Sequence, residues 1–326
     1  MDDDFTRFFS LVLARPAPEI SFPSLNNSIL YPPCVVLIDH YLRSRHFDGD
    51  LDLPNFAAPN ETVAVFSGYG GHHPTSIYLS YSFLFMAYNY RDVILDILAA
   101  LREQHDLRWP PTEIAFKQLG YGPIQRFLPA YLSALDTFIA GWLVTIIVNK
   151  SIKSLSGIGG IGGPRYLSKV LQDAGLGIWK PKVAEELLRC YLCALIVPDG
   201  SKVFWMTDHD AIVSNMTKAN QTANLLLSLL GEYTCKQITF VGYATPFVDQ
   251  NDTLHRDLLS ASDLAAGAFS EYCSSLRRLG QSAQRAQPVY EWLARQGSGL
   301  RKTTMMIEPA DDKHLKITGL NGGKPT

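Results

Sequence analysis

The stretch Lys202–Asn215 reads KVFWMTDHDAIVSN. An apolar run, Val203–Met206, ends in Asp208 and Asp210 with His209 between them, and a helix-like segment follows. Many α/β folds build their sites where strands end at their carboxyl side. In extended chain, residues two apart point the same way. Asp208 and Asp210 could then face one cation, and hard oxygen donors of this kind suit Mg²⁺ or Mn²⁺. A structural role fits the same letters. Thr207-x-x-Asp210 resembles a capping box, and either aspartate could cap the helix that follows.

Asp263 is the second candidate. It lies in Ser260–Phe269, SASDLAAGAF, and its helical neighbours at three and four residues are Leu259, Ser260, Ala266 and Gly267. An acid among small and apolar residues is costly without a partner or a metal, and small residues let a helix approach a sheet closely. The competing reading makes Ser260 an N-cap with Asp263 at the third position. Glu113 opens EIAFK, a short extended piece whose Lys117 could face the same side and contact a phosphate. A solvated edge strand with a lysine that discourages aggregation explains both residues as well. Asp39 ends a short apolar run, Val35–Ile38, read as a strand.

Other signals carry less. Gly157-x-Gly159-x-x-Gly162 has the letters of a dinucleotide fingerprint, but Lys150–Ser156 separates it from the preceding strand and Pro164 follows it. Cys190-x-x-Cys193 sits mid-helix with no second pair, as core thiols would. His72-His73 reads as a polar turn, and Ser67 in SGYGG is not a G-x-S-x-G elbow.

The elements that must position these groups follow from periodicity. Val63–Phe66 and Ile77–Met86 are strands joined through Ser67–Gly71 as a hairpin. Asn89 is placed to cap a helix over Arg91–Gln104. A helix over Ile124–Leu135 precedes Trp142–Val148, a near-continuous apolar strand of the kind covered on both faces. Helices are expected at about 165–174, 181–196, 212–230, 258–279 and 288–295, with strands at 203–206 and 237–241. Thr303–Ile307 and His314–Ile317 could pair as a terminal hairpin. The order predicts a mixed α/β layer fold, antiparallel at its start and parallel later. The division is an N-terminal extension over 1–60, a main domain over 61–280, and a C-terminal helix with hairpin and tail over 281–326.

Composition bounds the function classes. The chain has 326 residues, 47% of them hydrophobic and 18% charged, so a sizeable core is within reach. Its net charge of −2 gives no global basic field, so any nucleic-acid contact must come from a local patch. Five scattered cysteines argue against a disulfide framework. The acidic start, MDDDFTRFFSLVLARP, is unlike a basic signal peptide, and no apolar run is long enough for a membrane helix. A soluble, cytoplasmic protein is expected.

The order of these pieces resembles domain-of-unknown-function family 3800, from about Val63 to Cys273. The middle segment Glu113-Ile114-Ala115-Phe116-Lys117 fits the family's Glu-hydrophobic-Lys segment. Ser262-Asp263-Leu264-Ala265-Ala266-Gly267 fits its helix motif, and the strand ending in Asp208 and Asp210 fits its later acidic strand. The chain departs from the family at its first turn, Val65-Phe66-Ser67-Gly68, which has no acid, and at Asn149-Lys150, where Asn replaces one.

The resemblance implies a ribonuclease H-like α/β fold and a metal-dependent site that cleaves phosphodiesters. Such sites hold two Mg²⁺ ions roughly 4 Å apart between bridging carboxylates. Glu113, Asp208, Asp210 and Asp263 would supply them, with Asp39 replacing the missing first-strand acid if its strand joins the sheet. Nucleic acid is then the expected partner. Two alternatives stand beside this reading: a non-catalytic scaffold that binds nucleic acid, a protein partner or a second copy, and a nucleotide-binding enzyme built on the Gly157–Gly163 loop.

Overall fold

A strand buried on both sides needs a helical layer on each, and the chain supplies both. The computed structural model describes residues 3–13, 20, 22–25, 31–56, 60–107, 112–152, 183–207, 216–244, 253–278, 284–311 and 314–320. Its strands are β1 (Thr62–Gly70), β2 (Tyr78–Ala87), β3 (Gly141–Asn149), β4 (Lys202–Thr207), β5 (Thr239–Ala244), β6 (Leu300–Pro309) and β7 (Leu315–Gly319). They form one seven-stranded sheet in the order β5-β4-β1-β2-β3-β6-β7. β1, β2 and β3 are an antiparallel meander. β4 lies parallel to β1, β5 parallel to β4, and β6 parallel to β3. β7 returns antiparallel along β6. The C-terminal hairpin therefore continues the sheet that the meander begins. The carboxyl ends of β1, β3, β4, β5 and β6 share one edge, which follows from these directions.

The helices are α1 (Asp3–Val12), α2 (Pro33–Phe47), α3 (Arg91–Gln104), α4 (Gly122–Phe138), α5 (Val183–Ile196), α6 (Met216–Tyr233), α7 (Thr253–Arg278) and α8 (Gln287–Ala294). Side chains alternate across a strand, and β1 divides accordingly. Val63 and Val65 join the core with α1, α2, α5 and α6. Ala64 and Phe66 join the core with α3, α4, α7 and α8. All nine residues of β3 are buried, as expected for a strand covered on both faces. Among the described residues, no helix is long and apolar enough to cross a membrane.

Four local expectations are corrected. Val35–Ile38 is not a strand but part of α2. Pro33 opens this helix, a position where its missing N–H costs nothing, and Cys34, Val35, Ile38 and Leu42 are buried at helical spacing. Glu113–Lys117 is not a strand either. It is an irregular segment that enters a short 3₁₀ helix, Phe116–Gln118. Ser67–Gly70 belong to the strand and the hairpin turn begins only at Gly71, since β1 pairs with β2 through Gly70. Asn89 does not cap α3; its Oδ1 instead accepts from the N–H groups of Glu61 and Thr62, both at 3.2 Å, and fastens the start of β1. The helix expected at 165–174 and the glycine loop 157–163 lie outside the described residues.

Candidate functional site

The site is built where α7 lies on β1. A helix and a strand can approach this closely only if side chains are absent between them. Gly68 and Gly70 clear the strand, since a Cβ on Gly68 would stand 2.4 Å from the Ser262 carbonyl carbon and one on Gly70 2.5 Å from the Ala266 oxygen. Ser262, Ala266 and Ser270 recur every four residues and turn one small face of α7 toward the sheet. Ser262 Oγ donates to the Phe66 carbonyl oxygen at 2.8 Å, a bond from the helix into the strand.

Asp263 follows Ser262 and is part-buried. Its Oδ2 accepts from the Phe116 main-chain N–H at 2.8 Å. The carboxylate thus caps the first residue of the 3₁₀ turn rather than its own helix. The Phe116 ring fills a notch in α7 made by Gly267, where an added Cβ would be 2.3 Å from Phe116 Cγ. Glu113 lies three residues before Phe116, no more than about 11 Å away along extended chain. It is half-exposed and pairs with Lys117 at 3.5 Å, a solvent-facing pair of little energetic worth. Phe116 therefore docks the 113–118 segment on the face of α7 that carries Asp263, while Glu113 and Lys117 on that segment are exposed.

β4 approaches the same place from the other side. Thr207, its last residue, is in register with Ser67 of β1, one strand spacing away, about 4.8 Å. Ser67 precedes Gly68, the residue that touches the Ser262–Asp263 main chain. Met206 lies on the α7 face and Phe204 packs against that core. Trp205 points the opposite way, with its Nε1 donating to Ser67 Oγ at 3.0 Å. Asp208 and Asp210 follow Thr207 in sequence and lie outside the described residues.

Asp39 does not belong to this site. Its helix, α2, packs in the core on the opposite face of the sheet. There its Oδ1 accepts from Tyr191 OH at 2.8 Å and its Oδ2 from Arg43 Nε at 2.6 Å. Burial, reinforced by the Asp39 charge, pushes the Tyr191 hydroxyl well above its ordinary pKa. Asn149 ends β3 and accepts from the Ser151 N–H at 2.9 Å, so it closes a turn. β1 offers no acid on the α7 face, and at Gly68 the helix main chain occupies the space that a side chain would need.

Sequence reading missed the groups that hold the site's frame. Asp257, six residues before Asp263 on α7, is buried with Arg102 of α3. Tyr131 of α4 donates its hydroxyl to the Asp257 carbonyl oxygen. Burial, then the charge of Asp257, raises the Tyr131 pKa well above its usual value; Arg102 opposes and Asp263 adds to the rise. The signal was present in part, because Ile94, Leu98 and Arg102 recur every four residues on the buried face of α3. Cys190 and Cys193 are buried in the core between α5 and its neighbours, and Cys190 Sγ meets the Leu226 carbonyl oxygen at 3.8 Å.

Among the described residues no three His, Cys, Asp or Glu side chains form a group that could hold a metal ion. Of the expected carboxylates, Asp263 is on this face, Glu113 is exposed on the segment that Phe116 docks there, and Asp39 is on the other face. Comparison with known protein families, curated proteins and solved structures gives no match for the chain.

Proposed function

We propose that the junction of α7, β1 and the end of β4 is a divalent-cation site, and that the chain is a metal-dependent nuclease of ribonuclease H-like architecture. The observation that carries this reading is a convergence. Asp263 lies against Gly68, and β4 ends beside Ser67 immediately before Asp208 and Asp210. The antiparallel β1–β2–β3 meander, extended in parallel by β4 and β5, supports the architecture. Mg²⁺ or Mn²⁺ bound by Asp208, Asp210, Asp263 and Glu113 would activate water and neutralise charge on a phosphodiester. Lys117 is the candidate phosphate contact. The cysteines, all free and all but Cys235 buried, support a reducing, cytoplasmic setting.

A second reading rests on its own observation. β1 carries no acid, and Val65, which stands where the resemblance implies one, is buried in the core on the other face of the sheet. On this reading the chain keeps the fold as a scaffold that binds nucleic acid, a protein or a second copy without cleaving.

Incubation with single- and double-stranded DNA and RNA in Mn²⁺ separates the two. Cleavage that disappears in Asp208→Ala and Asp263→Ala supports the enzyme. Cleavage that survives both substitutions contradicts the site, and nucleic-acid binding without cleavage favours the scaffold.

A further inference from the structure

The expected carboxylates Glu113 and Asp263 sit on different elements, and one buried side chain on a third element ties those two together. Arg102, near the C-terminus of α3, is 3% exposed. Its Nε donates to Asp257 Oδ2 at 2.6 Å and its Nη2 to Asp257 Oδ1, a two-point grip on α7. The same guanidinium donates from Nη1 and Nη2 to the Thr112 carbonyl oxygen, both at 3.0 Å, and from Nη1 to the Leu107 carbonyl oxygen at 3.1 Å. Thr112 is the residue before Glu113. The planar fork of five donors is what allows one residue to serve a carboxylate and two carbonyls at once. Burial disfavours the charge, but the hydrogen bonds and charge of Asp257 outweigh it, and the guanidinium is held more firmly protonated than usual.

We propose that Arg102 is a positioning residue for the site. It holds residues 112–118 against α7 at their upstream end, as the Asp263–Phe116 bond holds them further along, and so sets where Glu113 stands relative to Asp263. A side chain on a third element thereby governs the separation of the two. This proposal rests on the metal-site reading for its link to function, but the positioning itself is measurable without metal.

The experiment compares wild type with Arg102→Lys, well below the unfolding temperature of each, by hydrogen exchange and by Mn²⁺ titration. Lysine keeps a charge opposite Asp257 but cannot also reach both carbonyls. The double variant R102M/D257L replaces the buried pair by apolar side chains, an exchange that is often tolerated, and serves if the single variant does not fold. The expected result is exchange at the Phe116 N–H faster by about tenfold or more, with protection in β1 and β2 unchanged. Mn²⁺ affinity should fall by about tenfold, in the lower range for supporting residues around metal ligands. Wild-type exchange at Phe116 in a folded variant overturns the proposal. Faster exchange with unchanged Mn²⁺ affinity overturns its link to the site. If wild type itself binds no Mn²⁺, the metal reading fails, and exchange at Phe116 still decides whether Arg102 positions the segment.

Discussion

The main-chain N–H of Phe116 donates to Asp263 Oδ2 at 2.8 Å across 147 residues of sequence. This bond joins the helix that carries one expected metal ligand to the segment that carries another. It also separates two roles for Asp263. As an acceptor the side chain needs only an oxygen, whereas as a metal ligand it needs its negative charge.

Asp263→Ala should therefore cost about 1–3 kcal/mol, because the part-buried Phe116 N–H loses its partner. Asp263→Asn keeps an oxygen acceptor and should cost less than about 1 kcal/mol. Urea unfolding of both variants measures this. Equal losses would show that the charge rather than the hydrogen bond is what stabilises the fold.

Asp39→Ala should destabilise by a similar amount, about 1–3 kcal/mol, since Tyr191 and Arg43 lose their shared acceptor. Because Asp39 lies beneath the opposite face of the sheet, Mn²⁺ affinity should not change. A change in affinity without a change in stability would contradict that placement.

Gly68→Ala should cost about 1–3 kcal/mol, because the new methyl forces α7 off β1. Gly231→Ala is the contrast. It lies in α6 with nothing within 4 Å of the added carbon, and the substitution should stabilise by about 0.5–1 kcal/mol. Thermal unfolding of the two variants should shift in opposite directions.

Buried Lys302 pairs with part-buried Asp136, to whose Oδ1 Trp292 Nε1 also donates at 2.7 Å. Burial raises the Asp136 carboxyl and lowers the Lys302 ammonium, and in each case the partner only partly offsets it. Lys302→Met should cost about 3–5 kcal/mol, and adding Asp136→Asn should recover much of that loss. The pH dependence has a definite sign. A carboxyl whose folded pKa is raised favours the fold below its ordinary value of 3.8 and loses that contribution as pH rises through the raised value. Wild-type stability relative to Asp136→Asn should accordingly fall as pH climbs from below 3.8. A relative stability that rises over that interval would contradict the burial-dominated account.

The strands were legible where apolar runs were long. Trp142–Val148 could hardly be anything but a covered strand, and β3 spans Gly141–Asn149. Val35–Ile38 misled because four apolar residues fit either element. The decisive marks were Pro33 at the start and the burial of Leu42 one turn beyond Ile38. Gly68 and Gly70 look like turn residues, but their use is to admit α7, a tertiary demand with no local signature. The pairing of β6 with β3 is invisible for the same reason: it is parallel and joins segments about 160 residues apart. For the site, the small residues around Asp263 did announce a close helix–sheet contact. Its partner did not show, because the donor is a main-chain N–H that every residue but proline carries.

Calorimetric titration of Mn²⁺ decides whether Asp263 and the carboxylates after β4 bind one divalent cation, as proposed. The proposed site requires saturable binding to wild type, unchanged in Asp39→Asn and lost in Asp208→Asn and in Asp263→Asn while both remain folded. Absence of binding to wild type, or the same affinity in all four proteins, would contradict it.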